Sequence, residues 1–147
     1  MKFKSLIAAI VCGVAIFTSS VCFATISSSR ISVGGMYPGM NVNDLLYRFG
    51  EPNERQGAKW IYPHFHAVVN YNVVVRISTH SDRYEAPGGV HCGSTLEKLA
   101  RIYGRSDDVR FDGDTQDFIY YSNDYRTRIE FIVNRHDIVS KIICQVD

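Results

Sequence analysis

Six residues, Gly34-Gly35-Met36-Tyr37-Pro38-Gly39, return 54 residues later as Gly88-Gly89-Val90-His91-Cys92-Gly93. The same offset pairs Val42 with Leu96, Leu45 with Leu99, Phe49 with Tyr103 and Gly50 with Gly104. Self-similarity at a fixed period means that one supersecondary unit is made twice. A unit of this size has a marginal core alone, so the two copies are expected to share one continuous sheet.

Within each copy the pattern after the glycines is helical. Val42, Leu45 and Phe49, then Leu96, Leu99 and Tyr103, recur at i, i+3 and i+7, one face of a short helix. Asn41 is placed to cap the first helix and Ser94 or Thr95 the second, with Ser94-x-x-Glu97 reading as a capping box. Gly50 and Gly104 suit the positive φ at a helix C-terminus, and Pro52 stops the first helix. Helices this short need a surface to pack on. Strand candidates supply it: Trp60-Ile61-Tyr62 and Ala67 to Ile77, broken by a turn at Asn70-Tyr71-Asn72. In the second copy Asp112-Gly113-Asp114 marks a hairpin turn, followed by Phe118 to Tyr121, Arg128 to Val133 and Ile138 to Cys144. The expected fold class is α+β: two tandem repeats, each a short helix plus three antiparallel strands, forming one helix-on-sheet domain.

Residues 1–24 read as a signal peptide. Lys2 and Lys4 precede an apolar run from Leu6 to Phe17, and small residues lead to Ala24. Cys22 follows Val21, with Ser19 three before it, which does not suit a lipid-attachment site. The organisation is therefore a signal peptide at 1–24, repeat one at 25–83 and repeat two at 84–147. The full chain carries a net charge of +1, and without Lys2 and Lys4 it has 14 basic against 15 acidic residues, a net of −1. Neither value gives the basic field of a nucleic-acid binder, and the mature chain has no membrane-spanning run. Export places it in the periplasm or outside the cell. In such a compartment Cys92 and Cys144 are an even pair, and a bridge closing about 50 residues would be worth about 4 kcal/mol. Two buried free thiols are the alternative.

The glycine, helix and strand motifs together resemble the SmpA/OmlA (BamE-like) domain. Gly35-Met36, Gly39-Met40-Asn41, Phe49-Gly50-Glu51-Pro52 and Trp60-Ile61-Tyr62 carry the likeness in copy one. Gly89-Val90, Gly93-Ser94-Thr95, Tyr103-Gly104 and Phe118-Ile119-Tyr120 carry it in copy two. Copy two has Arg105-Ser106 in place of the proline, and no tryptophan. Tandem copies are similar to the β-lactamase inhibitor protein architecture. The resemblance implies an exported, non-catalytic module that docks on another envelope or secreted protein, or else an inhibitor of an extracytoplasmic enzyme.

Chemical motifs are sparse. His64-x-His66 puts two imidazoles on one face of an extended segment, with His80, His91 or Asp82 as further ligands for zinc or copper, but nothing completes a metal signature. Asp112, Asp114 and Asp117 lack the glycine and glutamate spacing of a calcium loop. The chain has no Gly-x-Ser-x-Gly, Ser-x-x-Lys or P-loop pattern. No enzyme activity, cofactor or metal is therefore expected. Binding rests on aromatic and basic residues: Trp60, Tyr62, His64 and His66 on one strand face, Tyr120 beside Phe118, and Tyr71, Tyr125 and Arg126 in turns. Strand parity leaves open whether Trp60, Tyr62, Phe118 and Tyr120 face the helices as core or face a partner. Arg76, Arg128 and Lys141 rim either surface.

Overall fold

Helix α1 (Val42–Phe49) begins where the Asn41 side chain accepts the Asn43 N–H, and ends at Gly50, whose φ is +73°. Helix α2 (Leu96–Tyr103) ends the same way at Gly104, φ +74°. Its cap is Thr95, which accepts from Lys98 N–H, because the Ser94 hydroxyl is already bonded to His91 N–H. The expected Ser94–Glu97 box is thus not the one used. The computed structural model describes residues 25–147, and the expected signal peptide lies outside them.

Strands β1 (Glu54–Gln56), β2 (Lys59–Ile61), β3 (His66–Asn70) and β4 (Val73–Thr79) follow α1. Strands β5 (Asp108–Asp112), β6 (Thr115–Tyr121), β7 (Thr127–Val133) and β8 (Val139–Val146) follow α2. All eight form one antiparallel sheet in the order β1-β2-β3-β4-β8-β7-β6-β5. The expectation of two helix-plus-three-strand repeats is corrected: each helix is followed by four strands, and the strands build a single sheet. The missed strands are the two edges. Every residue of β1 and β5 is exposed, so neither carries the apolar alternation that marks a half-buried strand.

The two meanders meet at β4 and β8, where Ile77 pairs with Cys144 and Thr79 with Ile142. At the β3–β4 turn, Tyr71 and Asn72 both have positive φ (+47° and +61°), the type I′ geometry that matches strand twist. Gly113 at φ +57° takes the first central position of the β5–β6 turn.

Both helices cover one face. Leu45, Leu99 and Tyr103 enter a single core cluster with Ala67, Ile77, Ile129, Phe131, Ile142 and Cys144, side chains of one strand parity. The connecting segments feed the same cluster through Ile31, Met36, Met40, Ala86, Val90 and Cys92. Two tyrosines tie sheet to helix ends: the Tyr62 hydroxyl donates to the Gly50 carbonyl at 3.1 Å and that of Tyr120 to Gly104 at 3.0 Å. Gly88 allows close approach, since a Cβ there would sit 2.3 Å from Ile102 Cγ2. Among the described residues no helix is long and apolar enough to cross a membrane.

Candidate functional site

The two helices and the core residues of the connecting segments pack on one side of the sheet, and among the described residues no helix packs on the other. Strand register defines its central row: His66, Ser78, Ile143, Glu130, Ile119 and Asp108, running from β3 to β5. Arg76, Gln145, Arg128 and Tyr121 form the next row, and Lys141, Ile132, Asp117 and Arg110 the row on the other side. Ile119 and Ile143 are 0% and 5% exposed yet stand outside the core cluster. They flank Glu130, a carboxylate only 8% exposed.

A nearly buried carboxylate is stable only with its charge and lone pairs satisfied. Arg128 Nε donates to Glu130 Oε1 at 2.6 Å and Gln145 Nε2 donates to the same oxygen at 3.0 Å. Arg128 also bonds the carboxylate of Asp147, so one guanidinium fixes two acids. Beside this network Asp117 is less well served: its Oδ1 is buried without a hydrogen-bond partner among the described residues. Burial first, then the charges of Glu130 and Asp112, push the Asp117 carboxyl above its ordinary range, against Arg110 and Lys141.

A cleft of about 380 Å³ beside the β3–β4 end of that row is lined by His64, His66, His80, Ser78 and Ser81. Burial, followed by the charges of Lys59, His80 and Lys141, lowers the His66 pKa and favours the neutral ring. Among the described residues no group of three or more His, Cys, Asp or Glu side chains is placed to hold a metal.

The structure separates the residues singled out in the sequence. Tyr62 and Tyr120 are core, and Trp60 is half-buried beneath the Arg55 guanidinium, 4.2 Å from its ring centroid. The parity expectation that His66 shares their face is corrected: β2 ends at Ile61, the Tyr62–Phe65 turn resets the alternation, and His66 pairs with Ile61 on the opposite face. Tyr71 is 93% exposed at its turn. Tyr125, at φ +55°, is exposed beside Arg126 with its ring 6.0 Å from that of Tyr121. The β3–β4 and β6–β7 turns lie at the same end of the sheet, so Tyr71 and Tyr125 share that end.

The expected Cys92–Cys144 bridge is not formed, and both are buried free thiols. Cys92 Sγ donates to the Thr79 carbonyl at 3.5 Å, and burial pushes its pKa up to about 11. Burial raises that of Cys144 as well. Thiols held protonated are poor nucleophiles. Sequence reasoning missed Glu130, Asp117, Ile119 and Ile143; the available signal was the charged residues alternating with apolar ones in Arg128-Ile129-Glu130-Phe131.

No family model and no curated protein sequence matches the chain. Similar solved structures include a DUF4309 family protein (YjgB) from Bacillus subtilis, 16% identical with a TM-score of 0.51, covering 73% of this chain and 78% of that one. An extracellular protein containing a SCP domain from Bacillus anthracis is 13% identical with a TM-score of 0.58, covering 75% of this chain and 44% of that one. A cysteine-rich secretory protein from Staphylococcus aureus is 8% identical with a TM-score of 0.50, covering 74% of this chain and 44% of that one. This chain thus spans less than half the length of the latter two. These likenesses concern the fold, and they replace the resemblance to SmpA/OmlA domains and to the tandem β-lactamase inhibitor architecture, which rested on cap and core residues. Such residues recur wherever a short helix packs on a sheet.

Proposed function

We propose that the chain is an exported, non-catalytic protein-binding module of the bacterial cell envelope, and that the helix-free sheet face is its docking surface. The observation that carries this reading is the fixed central row of that face, where Ile143, Glu130 and Ile119 are nearly buried outside the core and the acid is held by Arg128 and Gln145. Preorganised charges beside apolar side chains suit a protein interface, because a partner meets a surface that needs little further ordering. The protonated state of both cysteines speaks against a thiol nucleophile. Export is supported by the signal-peptide pattern of residues 1–24 and by the extracellular and secretory descriptions of two similar structures.

Site-specific photo-crosslinking in the producing cell tests the proposal. A crosslinker at Ser78 or Gln145 is expected to capture a defined partner, whereas one at Glu97, on the exposed side of α2, is not. Equal labelling from both faces, or none from either, overturns it. If the captured partner is an enzyme that the purified chain inhibits, the binding module acts as an inhibitor.

A further inference from the structure

The two edges of the sheet are guarded differently. Edge β1 is three residues long, and its Arg55 lies across Trp60, its cross-strand neighbour, closing the sheet margin beside α1. The corresponding pair at the other edge is Val109 on β5 and Phe118 on β6. Among the described residues no arginine stacks on Phe118 as Arg55 does on Trp60, although Arg105 lines the space beside it. A groove of about 450 Å³ opens there between α2 and β5, with Leu96, Ala100, Val109 and Phe118 among its walls. Phe111, two residues along β5 on the same face, is 74% exposed.

The backbone of β5 is equally open. A two-residue turn at Gly113-Asp114 makes Asp112 and Thr115 a hydrogen-bonded pair, and antiparallel pairs alternate. Asp108, Arg110 and Asp112 therefore bond to β6, while the N–H and C=O groups of Val109 and Phe111 point away from the sheet. The Val109 N–H accordingly turns to one oxygen of the Asp108 carboxylate at 2.9 Å while Arg110 Nε donates to the other at 3.3 Å, two exposed contacts that an incoming strand replaces. Side chains alternate too: Val109 and Phe111 lie on the groove side, Asp108, Arg110 and Asp112 on the other. Residues 105–117 hold five aspartates, at 107, 108, 112, 114 and 117, against Arg105 and Arg110.

We infer that β5 is a strand-addition site that takes an extended segment of a partner protein in which apolar residues alternate with basic ones. Apolar side chains of that segment enter the groove beside α2, its lysines or arginines face Asp108 and Asp112, and its backbone pairs with Val109 and Phe111. A second copy of the chain fits less well. Two β5 strands paired antiparallel over all five residues set Arg110 against Arg110 and Asp108 against Asp112, like charge against like. The inference rests on the reading of the chain as a binding module but not on the helix-free face.

The test is a titration of the whole protein with an acetylated, amidated heptapeptide, Thr-Lys-Val-Thr-Val-Lys-Thr, followed by fluorescence anisotropy of a dye on the peptide. Saturable binding is expected below millimolar concentration. It should weaken at least tenfold in Val109→Pro, which removes an outward N–H that β6 does not use. It should weaken similarly in Ala100→Trp, which fills the groove from an exposed helix position, and with a peptide N-methylated at both valines. Unchanged melting curves establish that the variants fold. Absence of saturable binding, or equal binding by Val109→Pro and by the N-methylated peptide, overturns the inference. So does a concentration-dependent dimer of the protein alone that Val109→Pro abolishes, since the edge then belongs to a second copy. Crosslinking at Ser78 or Gln145 that persists when the peptide fails leaves the proposed function standing and removes only this site.

Discussion

Leu99→Ala tests whether the chain has one core or two. Leu99 is fully buried in α2, in the second half, and its side chain joins a cluster that also holds Leu45, Ala67 and Ile77 of the first half. The β4–β8 pairing places Ile77 directly opposite Cys144, so the cluster has no seam where the halves could part. Truncating a fully buried leucine removes its transfer energy and leaves a partly collapsed cavity, together about 3 kcal/mol. With a urea dependence of about 1.5 kcal/mol per molar, the unfolding midpoint should fall by about 2 M. The chain supplies its own local reporter, because Trp60 is the single tryptophan and lies on β2, in the half that does not contain the substitution. In a cooperative unit, Trp60 fluorescence and far-ultraviolet circular dichroism shift together by that amount. A Trp60 transition that stays at the wild-type midpoint while the circular dichroism becomes biphasic would refute the single-core argument.

Four further outcomes are expected. Tyr62→Phe and Tyr120→Phe each remove a hydroxyl that donates to a helix-end carbonyl, and chemical denaturation should show a loss of about 1 kcal/mol apiece. Gly39→Ala meets nothing within 4 Å and bears only its left-handed φ, about 1–2 kcal/mol, whereas Gly88→Ala also drives a methyl against Ile102 and should lose more stability in the same assay. In a chain beginning at Thr25, a thiol reagent should label Cys92 and Cys144 only after unfolding, and finding no thiol in denaturant would restore the bridge. Asp117 has a raised carboxyl pKa, so the folded state holds its proton more tightly than the unfolded one, and stability falls as pH climbs from about 3.8 through the raised value. Asp117→Asn removes that slope; its stability relative to wild type should rise with pH across this window, and a difference independent of pH would count against the assignment.

What could be read in the sequence was set by how much of each element is buried. Asn41, Gly50 and Gly104 announced the helix ends because each solves a backbone problem that few residue types can solve. Of the two caps offered for the second helix Thr95 is the one used, and the Ser94–Glu97 box is not, because Ser94 spends its hydroxyl on His91. The central strands were legible from their β-branched and aromatic runs. Cross-strand placement was not: the face of His66 depends on where β2 stops, and the partners of Glu130 come from β7 and β8. The disulfide expectation followed from cysteine count and compartment, neither of which carries geometry, and in the fold Cys92 addresses Thr79 while Cys144 sits opposite Ile77 and Ile129.

The failure at β1 and β5 has a physical cause that bears on function. A strand announces itself in sequence because one of its faces must be apolar to reach the core. An edge strand with both faces wet is under no such demand, so Glu54–Gln56 and Asp108–Asp112 are composed like loops. Freedom from the core leaves an edge open to another chain, and charged side chains keep it from pairing indiscriminately. At β1 the charge is used in that way, with Arg55 folded over Trp60. At β5 the charges lie on one side only, and Val109 and Phe111 remain exposed on the other. An edge of this kind rejects most strands and accepts one whose alternation complements it, so the element hardest to find by periodicity is also the one whose residues are freest to encode a partner.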